Sequence, residues 1–419
     1  MTRADLLIIG AGPAGLAAAI AARQAGVKDL LVLEREEASG GILRQCIHNG
    51  FGLHRFKEEL TGPEYAQRDI DLAADLGIRI QTNAMALSVT RDKVVSFVSR
   101  QEGPRQIECG AIILCTGCRE RSRGAIGTPG TRCAGVFSAG TAQKFVNLHG
   151  FMPGSQVVIL GSGDIGLIMA RRMTLQGARV LACVEIMPYS SGLNRNIVQC
   201  LNDYDIPLYL SHTVTDIRGT SRLNGITISR VDENRRPVPG TEIDFSCDTL
   251  LLSVGLIPEN ELALGAGLNL SAATGGVLVD DRFETEIDGV FSAGNALHVH
   301  DLADDVSEEA ARAGRAAADY LLRGGQKRQM LSVMDGRGVL GAVPQKIAVP
   351  AEEDVRVRFR VDRVYENAYV CAHAQGAVFP RRKHRILTPG EMAQAVLPKQ
   401  PLSLAEGDIV ISIEGEKER

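Results

Sequence analysis

Two glycine-rich turns of one design, Gly10-Ala11-Gly12-Pro13-Ala14-Gly15 and Gly161-Ser162-Gly163-Asp164-Ile165-Gly166, stand 151 positions apart in this chain of 419 residues. Each is followed, 24 positions after its first glycine, by a glutamate: Glu34 and Glu185. The first glycine allows a tight turn, the second lets the backbone approach a pyrophosphate, and the third lets helix and strand pack closely. A helix opening at such a turn offers free N–H groups and its positive dipole end to the diphosphate. A carboxylate closing the next strand accepts hydrogen bonds from ribose hydroxyls. The chemistry implied, twice over, is dinucleotide binding. A chain with two such sites is suited to passing electrons between two dinucleotides.

The elements that must hold these residues are legible around both turns. Leu6–Ile9 is a short apolar run of buried-strand type, an Ala-rich helix follows from Pro13 to Ala25, and the strand Leu30–Leu33 closes on Glu34. A βαβ setting of this kind turns a glycine pattern into a specific signal. The second copy has strand Val157–Leu160, helix Ile165–Gln176 and strand Arg179–Val184. Each half then carries a late apolar run, Ala111–Leu114 before Thr116-Gly117 and Thr249–Gly255. Helices are expected over Asp69–Gly77 and, after Gly289-Val-Phe-Ser-Ala-Gly294-Asn295, over Val306–Leu322. Arg323–Arg328 reads as a linker. Beyond it Val355, Val357, Phe359 and Val361 alternate with Arg356, Arg358 and Arg360, and turn signals punctuate the rest, which predicts a small β-sandwich or barrel. The expected fold class is α/β, with two Rossmann-like dinucleotide-binding domains and a small C-terminal β domain.

Composition narrows the function. With 23% charged residues and a net charge of −4, nothing calls for nucleic acid or anionic lipid. Aromatic residues are only 4% with no Trp, which argues against a stacking platform for single-stranded nucleic acid. The uncharged run Leu6–Ala22 contains the glycine turn and Pro13, so it reads as strand, turn and helix rather than a signal or membrane span. Nine scattered cysteines without a secretory signal read as reduced thiols in a cytoplasmic protein.

Further motifs carry a resemblance. Gly40-Gly41-Ile42-Leu43 and Leu60-Thr61-Gly62-Pro63-Glu64 resemble the flavin-side loop of thioredoxin-reductase-like flavoproteins of the pyridine nucleotide-disulfide oxidoreductase superfamily. Cys115-Thr116-Gly117 looks like their "ATG" strand end, and Thr285 to Asn295 like their second flavin fingerprint. The resemblance covers residues 1 to about 325 and implies FAD at the first site and a nicotinamide dinucleotide at the second. It implies a discontinuous FAD domain, 1–119 and 257–325, an inserted NAD(P) domain, 120–256, and a C-terminal β-rich domain, 330–419. Around FAD it places Arg35, Gly41, Ile42 and Leu43, then Met85 and Ala86, then Thr116 and Gly117, and finally Gly294, Asn295, His300 and Asp301. Gly255 joins the second turn. Asn295 stands where an aspartate is commoner; it keeps an acceptor oxygen for the ribityl chain and loses the charge. The helix beyond should aim its N-terminus at the flavin's pyrimidine edge. The copy of Gly-Val-Phe-Ser-Ala-Gly at 135–140 reads as an inter-domain crossing strand. Glu185 favours a free ribose 2′-hydroxyl, hence NAD over NADP, although Arg195 could fold back toward it.

The redox disulfide of such enzymes is missing: Phe137–Phe145 contains no cysteine, and only Cys46 follows Glu34 closely. Cys115 and Cys118 form a Cys-x-x-Cys that reads as incidental. The stretch Gly135–Asn147 resembles disulfide-free flavoprotein subunits of multi-subunit amine or hydroxy-acid dehydrogenases, and Cys46–His54 with Gly163–Arg172 resembles more closely a bacterial group that accompanies glycerol-3-phosphate-dehydrogenase-like flavoproteins and a small Cys-rich protein. This implies hydride exchange between NAD(H) and flavin in a hetero-oligomer that acts on a small-molecule substrate and contains a partner flavoprotein or iron–sulfur protein. Cys46 and His48 are the candidate catalytic groups in the loop expected across the flavin. One alternative is a self-contained NADH oxidase or peroxidase with Cys46 as thiolate. The other is a nucleotide-binding scaffold subunit without chemistry. His298 and His300 invite a metal reading, but flavin-edge or interface polar groups are preferred and no metal is expected. The basic residues of 355–385 are either a docking face for an acidic partner or solvated strand faces.

Overall fold

The computed structural model describes residues 2–325 and 328–415, so Gln326 and Lys327 of the expected linker lie outside the described residues, as do Met1 and 416–419 of the expected outer domains. The chain forms two compact units, Met1–Cys118 with Pro258–Arg419, and Arg119–Ile257.

In the first unit, strand β1 (Thr2–Ile9) leads through the glycine turn into helix α1 (Pro13–Gln24) and strand β2 (Leu30–Leu33). The sheet runs Arg79–Gln81, β2, β1, Gly103–Leu114, Val94–Ser99, Ala84–Val89, with Val290–Ser292 also pairing parallel with Gly103–Leu114. β1 lies parallel to both neighbours and is buried along Leu6, Leu7 and Ile8, which is why its sequence reads as an unbroken apolar run. The expected helix over Asp69–Gly77 is longer and earlier, Gly62–Asp75: Thr61 and Glu64 form a reciprocal capping box and Pro63 sits in the first turn.

The second unit repeats the plan with strand β3 (Gln156–Leu160), helix α2 (Asp164–Leu175) and strand β4 (Arg179–Val184). Its parallel sheet runs Val136–Ser138, Thr249–Leu252, β3, β4, Leu208–Tyr209, and a separate three-stranded antiparallel sheet is formed by His212–Gly219, Leu223–Arg230 and Ile243–Phe245. Val136–Ser138 of the hexapeptide at 135–140 is therefore a strand within this unit's own sheet, not a crossing strand, and Ala139-Gly140 open a helix: Phe137 pairs with Leu251 as Phe291 of the other copy pairs with Ile113.

Back in the first unit, helix α3 (Ala303–Arg323) packs on α1 through small residues. Gly314 lies so close that a Cβ there would meet the Ala18 carbonyl oxygen at 2.2 Å. The C-terminal part has two sheets, one of six strands and one of three, around a shared core that includes Val357, Phe359, Tyr365 and Ile411. Its strand β5 (Val355–Val361) matches the alternating run in the sequence. Among the described residues no helix is long and apolar enough to cross a membrane.

Candidate dinucleotide-binding sites

The two cradles share one pattern of hydrogen bonds. Gly10 donates its N–H to the Leu33 carbonyl at 2.8 Å, as Gly161 donates to that of Val184 at 2.7 Å. Both glycines have positive φ, and a Cβ on either would lie within 2.3 Å of a carbonyl oxygen of the neighbouring strand end, Cys115 or Ser253. Glu34 accepts the Ala11 and Glu36 N–H groups at 2.8 Å each. Glu185 accepts those of Ser162 at 2.9 Å and Met187 at 3.0 Å. Both carboxylates are buried, at the carboxyl ends of strands where open α/β sheets bind ligands.

Gly12 tests whether the first cradle fits a dinucleotide. Its φ of −78° and ψ of −172° suit any residue, and a Cβ would meet nothing closer than 3.8 Å. Neither strain nor packing within the chain requires glycine there; room for a ligand against the backbone does. α1 has Pro13 at its start, the small buried Ala14 in its first turn, no capping side chain and no acidic residue in that turn, so its N-terminal N–H groups are left for an anion. Gly15 lets the helix sit on the turn, since a Cβ would be 1.7 Å from the Gly10 oxygen. The donor set and the space fit FAD.

Other expected residues converge on this edge. Gly41 packs on Gly12, and Gly40 donates to the Ala11 carbonyl at 2.8 Å. Ala84 donates to the Glu34 carbonyl at 2.9 Å, which brings half-exposed Met85 and half-buried Ala86 alongside. Thr116 donates through its hydroxyl to the Glu259 carbonyl at 2.6 Å, and Gly117 has open space where a Cβ would stand. Arg35 and Ile42 are exposed. Leu43 is buried in a small core with Leu60, Tyr65 and Ala66, so its side chain is structural.

Cys46 and His48 follow the 3₁₀ turn Gly41–Gln45. The half-buried Cys46 thiol donates to the Ile42 carbonyl at 3.3 Å, and burial pushes its pKa up to about 12. A peroxidatic thiolate needs the opposite shift. The His48 ring lies 5.0 Å from that of Phe51, with Nδ1 3.0 Å from the Asn49 carbonyl. All nine cysteines are free thiols, and burial raises Cys115 of the Cys-x-x-Cys well above the ordinary thiol range.

The segment after Gly294 is wired to the C-terminal sheets. Glu309, buried on α3, accepts the Gly294 N–H at 2.9 Å through one oxygen. Its other oxygen faces His298 Nε2 at 2.8 Å, His300 Nε2 at 3.2 Å and Arg358 Nη1 of β5 at 3.4 Å. Burial alone would raise the Glu309 carboxyl, but His300 and His298 outweigh it and hold the group well below the usual carboxylate range. Burial lowers His298 beneath the ordinary imidazole value despite Glu309. A guanidinium and a backbone N–H thus share this carboxylate with the two imidazoles in a buried, hydrogen-bonded ion-pair network. Asn295 accepts the His300 N–H at 3.0 Å through Oδ1 and directs Nδ2 to Cys118 Sγ at 3.5 Å, so its oxygen is already engaged. Asp301 pairs with Arg360 at 2.5 Å. Arg356 pairs with Glu308 at 3.0 Å and Arg358 with Asp305 at 2.9 Å. These three arginines form ion pairs inside the unit, while Arg381, Arg382, Lys383 and Arg385 are exposed. Asp304 and Asp305 occupy the first turn of α3 and offset part of its dipole.

In the second cradle α2 begins at Asp164 and Ile165 behind an uncapped Gly163, and Gly166 packs against Ser253. Gly255 has a positive φ of 106° and lies in the loop after Thr249–Leu252. Arg195 is exposed in the first turn of the helix Asn194–Cys200 and makes no ion pair with Glu185.

A family model described as pyridine nucleotide-disulphide oxidoreductase matches residues 4–317. The chain belongs to this family. It is an FAD-dependent NAD(P)H oxidoreductase with FAD and a nicotinamide dinucleotide as cofactors. Hydrogen cyanide synthase subunit HcnB of Pseudomonas protegens is 24% identical to this oxidoreductase over 373 residues, 80% of this chain and 76% of the relative. An opine oxidase subunit of Agrobacterium tumefaciens is 26% identical over 281 residues, 64% of this chain and 55% of the relative. Thioredoxin reductase of T. acidophilum shares the fold, with a TM-score of 0.63 at 23% identity over 76% of this chain and 99% of that one. The residues that the motifs did not reveal in this oxidoreductase are Glu309, Arg358, Ser162 and the loop Ser190–Asn196. A glutamate on the buried face of a helix was the one available signal for the first pair.

Proposed function

We propose that this oxidoreductase exchanges a hydride between NAD(H) and FAD without a cysteine relay and passes the electrons to or from a partner subunit. The state of the thiols carries the reading: Cys46 and Cys115 are held protonated by burial, and no disulfide is formed among the nine cysteines. FAD supplies the two-electron chemistry when bound, and hydride transfer to it needs alignment and dryness rather than a protein acid or base. The chain's own groups bind and orient. Gly12 and the start of α1 hold the pyrophosphate, and Glu34 receives the adenosine ribose hydroxyls. Asn295 presents its amide Nδ2 to the ribityl side because His300 holds its oxygen. Gly161, Gly163 and Glu185 do the corresponding work for the nicotinamide dinucleotide.

Two relatives bear names of subunits, of hydrogen cyanide synthase and of opine oxidase, which supports an electron-passing role in an assembly. A flavoprotein or iron–sulfur partner, meeting a small organic substrate, fits this role. Copurification of the native complex with analysis of its cofactors tests it. A homogeneous single chain that turns over an organic substrate unaided refutes it. The high Cys46 pKa weighs against a self-contained peroxidase. Anaerobic bleaching of the flavin by NADH separates the enzyme from a silent scaffold.

A further inference from the structure

The two cradles follow one plan, so the positions where they differ are informative. They part at the second, fourth and fifth residues of the turn, Ala11, Pro13 and Ala14 in one, Ser162, Asp164 and Ile165 in the other, and only Ser162 and Asp164 carry hydrogen-bonding side chains. At the first turn none of the three side chains can hydrogen-bond, and the crossing loop meets the turn through the Gly40 N–H, which donates to the Ala11 carbonyl at 2.8 Å. At the second turn the crossing loop is held by side chains. Ser162, fully buried, donates its hydroxyl to Glu185 Oε2 at 2.6 Å and accepts the Ser191 N–H at 3.1 Å. Its carbonyl accepts the Ser190 hydroxyl at 3.3 Å. Asp164 Oδ1 accepts the Leu193 N–H at 2.9 Å and the Asn196 Nδ2 at 2.6 Å. Between these ties Gly192 lies so near the turn that a Cβ would be 2.7 Å from the Ser162 oxygen.

The loop is thus fastened at four residues, Ser190, Ser191, Leu193 and Asn196, beside the carboxylate expected to read the ribose. Resting on the nicotinamide reading of this cradle, we infer that Ser162 and Asp164 are specificity-determining positioning residues. They latch Ser190–Asn196 as a fixed wall of the adenosine-ribose pocket, and this wall selects a free 2′-hydroxyl over a 2′-phosphate. The 2′-phosphate adds bulk and negative charge next to Glu185, and accommodating it requires the loop to withdraw and a cation to arrive. Arg195 is the sole lysine or arginine between 186 and 200, and the Asp164–Asn196 bond anchors the helical turn that carries it. The same latch that shuts out the phosphate keeps this neighbouring counter-charge from relocating.

The test is calorimetric titration of the FAD-loaded full chain with ADP-ribose and with 2′-phospho-ADP-ribose, which requires no turnover. The wild type binds ADP-ribose on the order of a hundredfold more tightly. Ser162→Ala with Asp164→Ala brings the ratio to within about tenfold, chiefly by improving the phosphorylated ligand. Asp164→Asn keeps an acceptor oxygen and retains the wild-type ratio. The alanine variants fold, since Ala11 and Pro13 serve the first turn, and a cooperative melting transition with FAD retained confirms it. Equal loss of both affinities in the double variant, or a wild type indifferent to the phosphate, overturns the latch alone. A wild type that binds neither fragment overturns the nicotinamide reading and the latch together.

Discussion

Replacing Arg358 by methionine removes the guanidinium from a carboxylate that has no access to water. Arg358 is 9% exposed and Glu309 2% exposed at their side chains, with Nη1 and Oε2 3.4 Å apart. Breaking a buried pair by removing one partner costs about 3–5 kcal/mol. His298, His300 and the Gly294 N–H still serve Glu309, which points to the low end, about 3 kcal/mol. The half-exposed Asp305 adds less than about 1 kcal/mol. Loss of about 3 kcal/mol lowers Tm by about 6–12 °C for a domain of this size. Because Glu309 holds the N–H of Gly294, next to Asn295, the variant also releases FAD more readily. Thermal scanning of flavin fluorescence, alongside circular dichroism, reads both effects. The double variant Arg358→Met with Glu309→Gln removes the stranded charge and loses less than the sum of the single variants. An Arg358→Met protein within about 0.5 kcal/mol of wild type, or strictly additive losses, refutes the coupling between the C-terminal sheets and the flavin site.

Three further outcomes are expected. Cys46→Ser leaves anaerobic flavin reduction by NADH within about threefold of wild type, and iodoacetamide labels Cys46 slowly at pH 8, where a thiol of pKa about 12 is ionised in about one molecule in ten thousand. Gly12→Ala weakens FAD retention while the apoprotein melts as wild type, whereas Gly15→Ala destabilises the apoprotein itself, because its Cβ would press on the Gly10 carbonyl. Burial lowers His298 in the fold, so the unfolded chain takes up that proton first; its contribution to stability is full above the ordinary value of 6.5 and declines as pH falls toward the folded pKa. Urea midpoints between pH 7.5 and 5.5 fall more steeply for wild type than for His298→Gln.

Much of the architecture is legible in the sequence because local and tertiary demands coincide around the cradles. The bounds of β1, α1, β2 and their second copies differ from the sequence reading by a few residues at most, since buried parallel strands and glycine turns leave strong marks. Gly62–Asp75 reads short in sequence because its first turn is marked by a capping box and proline rather than by apolar spacing. Arg358 alternates with apolar residues as an outward position would; both faces of β5 meet protein at that point, and the pattern of one strand cannot show what covers its polar side. The hexapeptide at 135–140 has no visible strand partner in sequence, as Thr249–Leu252 joins it from more than a hundred positions on. The latch of Ser190–Asn196 depends on hydrogen bonds between segments that carry no periodicity at all.

Direct exchange between two bound dinucleotides is tested most simply by anaerobic titration of the purified, FAD-loaded chain with NADH after its accessible thiols have been alkylated. The flavin should bleach with one equivalent of NADH, and at a rate unaltered by the alkylation. Bleaching that is abolished by alkylation, or that consumes a second equivalent while two thiols appear, would contradict it.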